Sequence, residues 1–552
     1  MEKYTPQNPI RIVTAASLFD GHDASINIMR RIIQDMGAEV IHLGHNRSVH
    51  DVVKAVLQEG AQGVCISSYQ GGHMEYFKYL RDLLNEAGAG YVRIFGGGGG
   101  VIVHEEKKEL EAYGISQIFH PDDGRRLGLE GMIAMIINTC DFDLIEAQKK
   151  YPTKKQIFAN DLVPSVEIGI ALTAIENGQK DVTADDFNLP NFSKSKNLTP
   201  VLGITGTGGA GKSSLIDEIA QRFLNFYPDK KIGLICVDPS KRKTGGSLLG
   251  DRIRMNSLSR PNIYMRSVAS RGSGQEIAAS LPEILKFMRG LDFDLLIAET
   301  SGIGQGNMAI TSVSDLSMYV MTSDFGAQSQ LEKIDMIDYA DFVAVNKADR
   351  RGAQDALRDV TKQYKRSRKI FDDVTKVPVF LTQASQFNDG GVNQLFFSIA
   401  DKVATLKGSS LTQISDDAKR NILSAEEHII IPSERQNYLA EIVSTQRKYK
   451  ARVKTLAEKA SKLGALQVLQ KEISLGEETI AQKSKEFKVD FETSELEALN
   501  NWDQLQKTYS GDELVFKVRD KEMRQKLTST SLSGRLKQSG CWLRSSHHLK
   551  KA

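Results

Sequence analysis

One run of residues constrains this chain more than any other. It is Gly206-Thr207-Gly208-Gly209-Ala210-Gly211-Lys212-Ser213, directly after the apolar run Val201-Leu202-Gly203-Ile204. The spacing G-x-x-x-x-G-K-S is that of a phosphate-binding loop. Its glycines let successive backbone N–H groups converge on an anion, Lys212 reaches the β- and γ-phosphates, and Ser213 offers its hydroxyl to Mg²⁺. Leu215, Ile216, Ile219 and Phe223 then recur at helical spacing, so the N-terminus of a helix faces the same phosphates. The expected nucleotide contacts are Gly206, Gly208, Gly209, Ala210, Gly211, Lys212, Ser213 and Ser214. A strand, a glycine loop and a helix in this order predict an α/β domain with a parallel sheet.

The apolar runs that follow, at 232–237, 295–298, 318–321, 342–345 and 377–381, read as further strands, and most end at polar residues. Asp238 ends one and opens Asp238-Pro239-Ser240. Glu299 ends the next, where an acidic residue holds Mg²⁺ directly or through water. Lys212 and Glu299 are therefore the expected catalytic residues. Asn346-Lys347-Ala348-Asp349 reads as N-K-x-D: Asp349 can accept two N–H bonds from guanine, which adenine cannot offer. Ser385, in Gln383-Ala384-Ser385, is placed to give a backbone N–H to the guanine carbonyl. GTP and GDP are the expected ligands, with a kinase or ATPase as the weaker alternative.

The first 140 residues alternate short apolar runs, at 10–15, 38–43, 63–67, 91–95 and 115–119, with helical stretches such as 26–36 and 49–59. Five such alternations predict a doubly wound parallel sheet, whose ligands bind beyond the carboxyl ends of the strands. Polar and glycine-rich segments sit at those ends: Asp20-Gly21-His22-Asp23, Ser67-Ser68-Tyr69 and Gly96–Gly100. Asp20 lies two residues before His22, and a carboxylate behind a ligating imidazole orients it and raises its basicity. The glycine run admits close approach of a large ligand.

With 552 residues, 40% hydrophobic and 26% charged, the chain has room for two or three globular domains. The nine Lys/Arg and two Asp/Glu beyond Val518 leave the rest at a net charge of −4, which argues against a nucleic-acid partner. No run of eighteen apolar residues exists, so no membrane helix is expected. Met1–Pro9 lacks a signal-peptide core, and Cys65, Cys140, Cys236 and Cys541 share no metal-ligand spacing. A reducing, cytoplasmic setting fits these features.

Asp20-x-His22, Ser67 and the Gly97-Gly98 pair resemble the D-x-H-x-x-G, S-x-L, G-G pattern of the cobalamin-binding domain of adenosylcobalamin mutases and methionine synthase. The resemblance implies that His22 replaces the benzimidazole as lower cobalt ligand, with Asp20 behind it. Ser67, Gly97 and Gly98 would line the slot for the displaced nucleotide tail. Ser25 stands where the pattern has glycine, and Tyr69 where it has leucine. The remaining histidines, His42, His45, His50, His73, His104 and His120, read as surface or packing residues, with His73 the one placed near the pocket rim.

Glu299-Thr300-Ser301-Gly302-Ile303-Gly304-Gln305 and the segment from Asp238 to Met255 resemble the GTPase chaperones of methylmalonyl-CoA mutase. That resemblance adds Asp238 and Asp251 to Ser213 and Glu299 around Mg²⁺, with Gln305 a weak candidate for placing water. Lys241-Arg242-Lys243 interrupt the family's usual Ser-Pro-Phe.

The two domains in this order resemble the amino-terminal half of fused isobutyryl-CoA mutases, over residues 1 to about 530. The implied layout is a flavodoxin-like cobalamin domain (1–145), a helical connector (146–200), a P-loop GTPase domain (201–410), a helical linker (411–530) and an aberrant basic tail (531–552). The implied cofactors are adenosylcobalamin and Mg²⁺ with GTP, and GTP hydrolysis would gate cofactor loading and protection. A homodimer and an adenosyltransferase or mutase-barrel partner are the implied assemblies. The loss of periodicity from Gly534 leads us to expect a shifted frame or truncation before the acyl-CoA barrel, hence no mutase activity. A disordered basic tail is the alternative reading of that segment. The rival functional reading is a non-enzymatic cobalamin carrier or sensor with a GTP switch. A corrinoid methyltransferase module would need a zinc or methyl-donor domain, for which the cysteines offer no cluster.

Overall fold

The computed structural model describes residues 6–151, 163, 165–187, 189, 199–241, 244–271, 277–300, 308–325, 331, 334–372, 375–423, 437–472, 476–509, 512–518, 521–530 and 536–538. Residues 1–428 form one unit and 429–552 a second.

In the first unit, β1 (Arg11–Ser17), β2 (Glu39–Arg47), β3 (Gly63–Ser67), β4 (Arg93–Gly97) and β5 (Gln117–Phe119) alternate with α1 (Ala24–Asp35), α2 (Val49–Gln58), α3 (His73–Glu86), α4 (His104–Tyr113) and α5 (Pro121–Cys140). All pairings are parallel and the order is β5-β4-β3-β1-β2, the flavodoxin-like arrangement. β1 and β3 are buried along their whole lengths. Strands covered on both faces read as unbroken apolar runs, which is why the sequence displays them. The order reverses between β1 and β3, and the loops carrying Asp20, His22 and Ser67 flank that point.

α6 (Leu144–Lys149) and α7 (Ser165–Glu176) lead into the second sheet. It is built from β6 (Val201–Gly206), β7 (Ile232–Asp238), β9 (Ile263–Ala269), β10 (Leu295–Glu299), β11 (Leu316–Thr322), β12 (Phe342–Asn346) and β13 (Val379–Thr382), ordered β13-β12-β11-β6-β10-β7-β9 and parallel throughout. Helices α8 (Lys212–Phe226), α9 (Leu281–Arg289), α10 (Met336–Tyr339), α11 (Ala353–Ser367) and α12 (Gly390–Thr405) punctuate it, and α13 (Asp416–Leu423) follows. The missing number, β8 (Ser247–Leu249), lies between β7 and β9 in sequence. It pairs instead with β2, as the sixth strand of the first sheet.

The connector is not a tether. α7 is buried at nearly every position, and a helix apolar around most of its circumference belongs inside a core. Val166 and Ile170 pack into the first sheet's core, while Ile168, Leu172 and Ile175 pack into the second's. At Gly169 a Cβ would stand 2.3 Å from the Leu57 carbonyl oxygen, so α2 and α7 touch backbone to backbone. Residues 152–162 and 190–198 of the connector lie outside the described residues.

A charged cluster is buried where the two halves meet. Arg11 reaches Glu39 (2.7 Å), Glu176 (2.8 Å) and Glu59 (3.4 Å). Arg252 pairs with Glu59 (3.0 Å), Arg266 with Glu176 (2.6 Å) and Arg271 with Glu39 (2.7 Å). Burial alone would raise the Glu39 carboxyl, but Arg11 and Arg271 outweigh it and hold it at about 2. Removing one partner of such a pair typically costs about 3–5 kcal/mol, because the other charge is left buried and alone.

The second unit starts with α14 (Tyr438–Glu472), α15 (Glu477–Lys488), α16 (Thr493–Asn500) and α17 (Trp502–Tyr509). The helical reading of 411–530 ends there. β14 (Glu513–Val518) and β15 (Lys521–Lys526) form an antiparallel hairpin, favoured by the β-prone Leu514-Val515-Phe516 run. β16 (Thr528–Thr530), at the end of the 411–530 segment, pairs with β17 (Leu536–Gln538), inside the basic tail. Residues 539–552, with Cys541, lie outside the described residues. Among the described helices none is long and apolar enough to cross a membrane.

Candidate functional site

The phosphate loop joins β6 to α8. Gly206 has φ +153°, and a Cβ there would lie 1.9 Å from the Val320 carbonyl oxygen. Gly211 has φ +90°, and a Cβ would meet the Asn346 amide at 2.6 Å. Only glycine fits both positions. Lys212 is buried, with Nζ donating to Gly206 O (3.2 Å) and Thr207 O (3.5 Å). Gly208, Gly209 and Ser214 are exposed, while Ala210 is buried.

Ser213 draws the acidic residues together. Its hydroxyl lies 2.8 Å from Asp251 Oδ1 and 3.1 Å from Glu299 Oε1. Asp238 joins through Oδ2, which accepts the Gly250 N–H at 3.2 Å. Burial first, and Asp251 second, push the carboxyls of Asp238 and Glu299 up to about 8. Glu299 Oε2 is buried without a hydrogen-bond partner. An all-oxygen set with an orphaned carboxylate oxygen is what a hard divalent cation needs, so the residues fit Mg²⁺. Cys236 lies in the same cluster. No metal-ligand spacing announces this, and burial raises its thiol well above the usual range, so it stays protonated.

Asn346 staples the base-recognition loop to the phosphate loop. Its amide N–H donates to Ala210 O (2.8 Å), and its Oδ1 accepts from Thr382 Oγ1 and Ala384 N, both at 3.2 Å. Lys347 has φ +63°, and its Nζ donates to Gly209 O at 2.6 Å. Asp349 and Ser385 are exposed on the two stapled loops. Gly302 and Gln305 lie outside the described residues.

In the first sheet Asp20 is buried, and its carboxylate is shared three ways. Oδ1 accepts the His22 backbone N–H (2.9 Å) and faces His22 Nδ1 (2.9 Å), while Oδ2 accepts Tyr69 N–H (2.5 Å). Burial alone would raise this carboxyl, but the N–H donors of Tyr69 and His22 outweigh it and hold it below the ordinary value. The His22 side chain is 77% exposed with its ring orientation fixed from behind. Beside it a mainly apolar cavity of about 290 Å³ opens between α1 and α5, lined by Ile26, Ser67, Tyr69, Phe95, Gly97 and Gly98 among others. A Cβ on Gly98 would sit 1.9 Å from Ser68 O, so the strand edge forms a floor only glycine permits. The two departures from the family pattern lie in this wall: Ser25 Oγ is 3.4 Å from Ser67 Oγ, and the Tyr69 ring is 5.6 Å from His22. His120 also lines the cavity, where its ring accepts the Asp122 N–H at the start of α5. His73 is buried and its Nε2 lies 2.9 Å from Glu106. Among the described residues the cavity is mainly apolar with a glycine floor, and the exposed His22 ring beside it offers its outer edge to a metal.

Two family models match: "B12 binding domain" over residues 10–118, and "Methylmalonyl Co-A mutase-associated GTPase MeaB" over 168–432. The chain is 48% identical over 546 residues to a fused isobutyryl-CoA mutase of Geobacillus kaustophilus, covering 96% of this chain and 49% of that protein. It is 49% identical over 537 residues to one of Cupriavidus metallidurans, covering 96% and 48%. Over 96% of its length the chain is similar to fused isobutyryl-CoA mutases, and it spans about half the length of the curated relatives it matches. It carries a B12-binding domain followed by a GTPase domain of the type associated with methylmalonyl-CoA mutase.

The acidic cluster predicts a proton signature. With carboxyls at about 8, folded protein without a cation holds protons that the unfolded chain sheds at ordinary carboxylate values. The stability these two groups contribute therefore falls as pH rises through that window, and cation binding must expel the protons. Calorimetry of Mg²⁺-nucleotide binding at pH 7, in buffers of different ionisation enthalpy, is expected to show release of about one to two protons, vanishing well above pH 8. A buffer-independent enthalpy at pH 7 would contradict it.

Proposed function

We propose that the protein binds cobalamin through His22 and hydrolyses GTP at the phosphate loop, and that hydrolysis gates loading and protection of the cofactor. The observation carrying this reading is that one unit holds both sites, with Ser213, Asp251 and Glu299 gathered at the N-terminus of α8 and His22 fixed by Asp20 at the mouth of a glycine-floored cavity. Lys212 and the loop N–H groups bind and orient the phosphates. Ser213, Asp251, Glu299 and Asp238 would hold Mg²⁺, which neutralises charge on the β- and γ-oxygens. Asp349 selects guanine. Ser67, Gly97 and Gly98 seat the cofactor's tail, while His22 ligates cobalt. Bound adenosylcobalamin supplies a homolysable cobalt–carbon bond. By kinship with the longer relatives, isobutyryl-CoA rearrangement is the reaction this pair of domains serves, with an acyl-CoA barrel, an adenosyltransferase and a second copy as the proposed partners.

The test is turnover of GTP and ATP at equal Mg²⁺. GTP is expected to be preferred by at least about 100-fold, since a charge-assisted hydrogen bond is worth about 1.5–3 kcal/mol and ATP forfeits two. Comparable rates would contradict the proposal.

A further inference from the structure

β8 is covalently part of the nucleotide half yet hydrogen-bonded into the cobalamin half. After β7 ends at Asp238 the chain leaves its own sheet. Ser247, Leu248 and Leu249 pair in parallel with Glu39, Val40 and Ile41 of β2. At Gly246 a Cβ would lie 1.9 Å from the Gln34 carbonyl oxygen, so the entry to this strand is pressed against the end of α1. The chain then returns at once to the acidic cluster with Gly250 and Asp251.

The next two residues face the other way. Arg252 is buried, and its guanidinium donates to Glu59 Oε1 (3.0 Å), to Gln58 Oε1 and to Met265 O (3.2 Å). Gln58 and Glu59 end α2, in the cobalamin half. Ile253 Cδ1 occupies the space a side chain on Gly44 of β2 would need, at 2.7 Å from the Cβ position. Consecutive residues are thus anchored alternately: Asp251 to Ser213 of the phosphate loop, Arg252 to α2, Ile253 to β2. β2 also reaches the cobalamin loop. At its far end Asn46 N–H donates to Asp20 O (3.2 Å), and Asn46 Oδ1 accepts Phe19 N–H (2.8 Å). Asp20 in turn fixes His22.

We infer that Arg252 and Glu59 are positioning residues that couple the two sites, tying the carboxylate of Asp251 to the β2 strand and the α2 helix of the cobalamin half. This rests on the reading that the chain binds both cobalamin and GTP. Coupling requires a group that contacts a ligand differently in two states. Asp251 is that group: its carboxylate bonds directly to Ser213, a hydroxyl that nucleotide-bound Mg²⁺ would claim. Asp251 must then change partners, and with Arg252 buried in its hydrogen bonds and Ile253 resting against Gly44 the change is felt in α2 and β2. By linkage, cobalamin must alter nucleotide affinity by the same factor that nucleotide alters cobalamin affinity.

The test uses the full chain. Adenosylcobalamin affinity is read by absorbance with no nucleotide, with Mg²⁺-GDP and with a non-hydrolysable Mg²⁺-GTP analogue, and analogue affinity is read with and without cobalamin. For the wild type the ratio of affinities is expected to be about tenfold and equal in both directions. Arg252→Met keeps the volume and removes the charge. It should bring both ratios to within about twofold of unity while each separate affinity stays within about threefold, a pattern that mere destabilisation would not produce. Arg252→Lys should restore most of the ratio. If Arg252→Met does not fold, Ile253→Ala at the partly exposed neighbour tests the same link and should at least halve the ratio. A wild type that binds neither ligand overturns the functional reading itself. A wild type that binds both with a ratio of one, or variants that leave the ratio unchanged, overturns this inference alone.

Discussion

Lys212→Ala is expected to lower GTP turnover by about 10²–10³-fold, the usual loss when one preorganised group facing transition-state charge is removed. The lysine is buried, with its ammonium oriented by the carbonyls of Gly206 and Thr207. Alanine keeps the helix and the glycine geometry but leaves the developing charge on the γ-phosphate without this partner. Nucleotide-free cobalamin affinity should stay within about threefold, because ΔΔG values of well-separated sites with no shared partners are independent. Phosphate release under saturating GTP checks the first expectation and an absorbance titration the second. Turnover within tenfold of wild type would mean that phosphates are not bound where the loop geometry places them.

Asp349→Asn should produce the second large change. The loop bearing Asp349 is set by Asn346, which ties Ala210 to Thr382 and Ala384, and by the left-handed Lys347, whose amine reaches Gly209. The loop that carries the carboxylate is therefore tied to the phosphate loop. Replacing it by an amide exchanges one acceptor for a donor and removes the charge from both guanine contacts. GTP affinity should fall by about 100-fold, at about 1.5–3 kcal/mol for each charge-assisted bond. Xanthosine triphosphate, whose ring offers an acceptor where guanine offers a donor, should become a substrate. Competition binding with the three nucleotides measures this, and an unchanged GTP preference would remove Asp349 from base recognition.

The legible parts of this fold share one physical cause. Parallel strands covered on both faces are apolar throughout, and the candidate site residues sit where those runs stop. The positions of Asp20, Ser67, Glu299 and Asn346 were readable by that rule, and that of Lys212 by the loop spacing. β9 was not, because Arg266 interrupts its apolar run. Arg266 is fully buried against Glu176, but a lone arginine in a sequence reads as solvated. The same holds for Arg11, Glu39 and Glu59, whose partners lie on distant elements. β8 escaped notice because three residues carry no periodicity and its partner strand is about two hundred residues away. Cys236 lay in plain view on β7 yet looked like an ordinary strand residue, since the acidic residues beside it arrive from two other segments. The hairpin at 513–526 was hidden by its lysine-rich surroundings, which resemble those of the preceding helices.

Cobalamin ligation through His22 is the central claim. The direct measurement is electron paramagnetic resonance of cob(II)alamin bound to the full chain, prepared with ¹⁴N- and with ¹⁵N-labelled histidine. The exposed imidazole, oriented by a buried Asp20 beside a glycine-floored cavity, predicts that the nitrogen splitting on the cobalt lines changes from triplets to doublets on labelling, and that His22→Ala abolishes the change. Splitting that ignores the histidine label, and so comes from the cofactor's own benzimidazole, would contradict it.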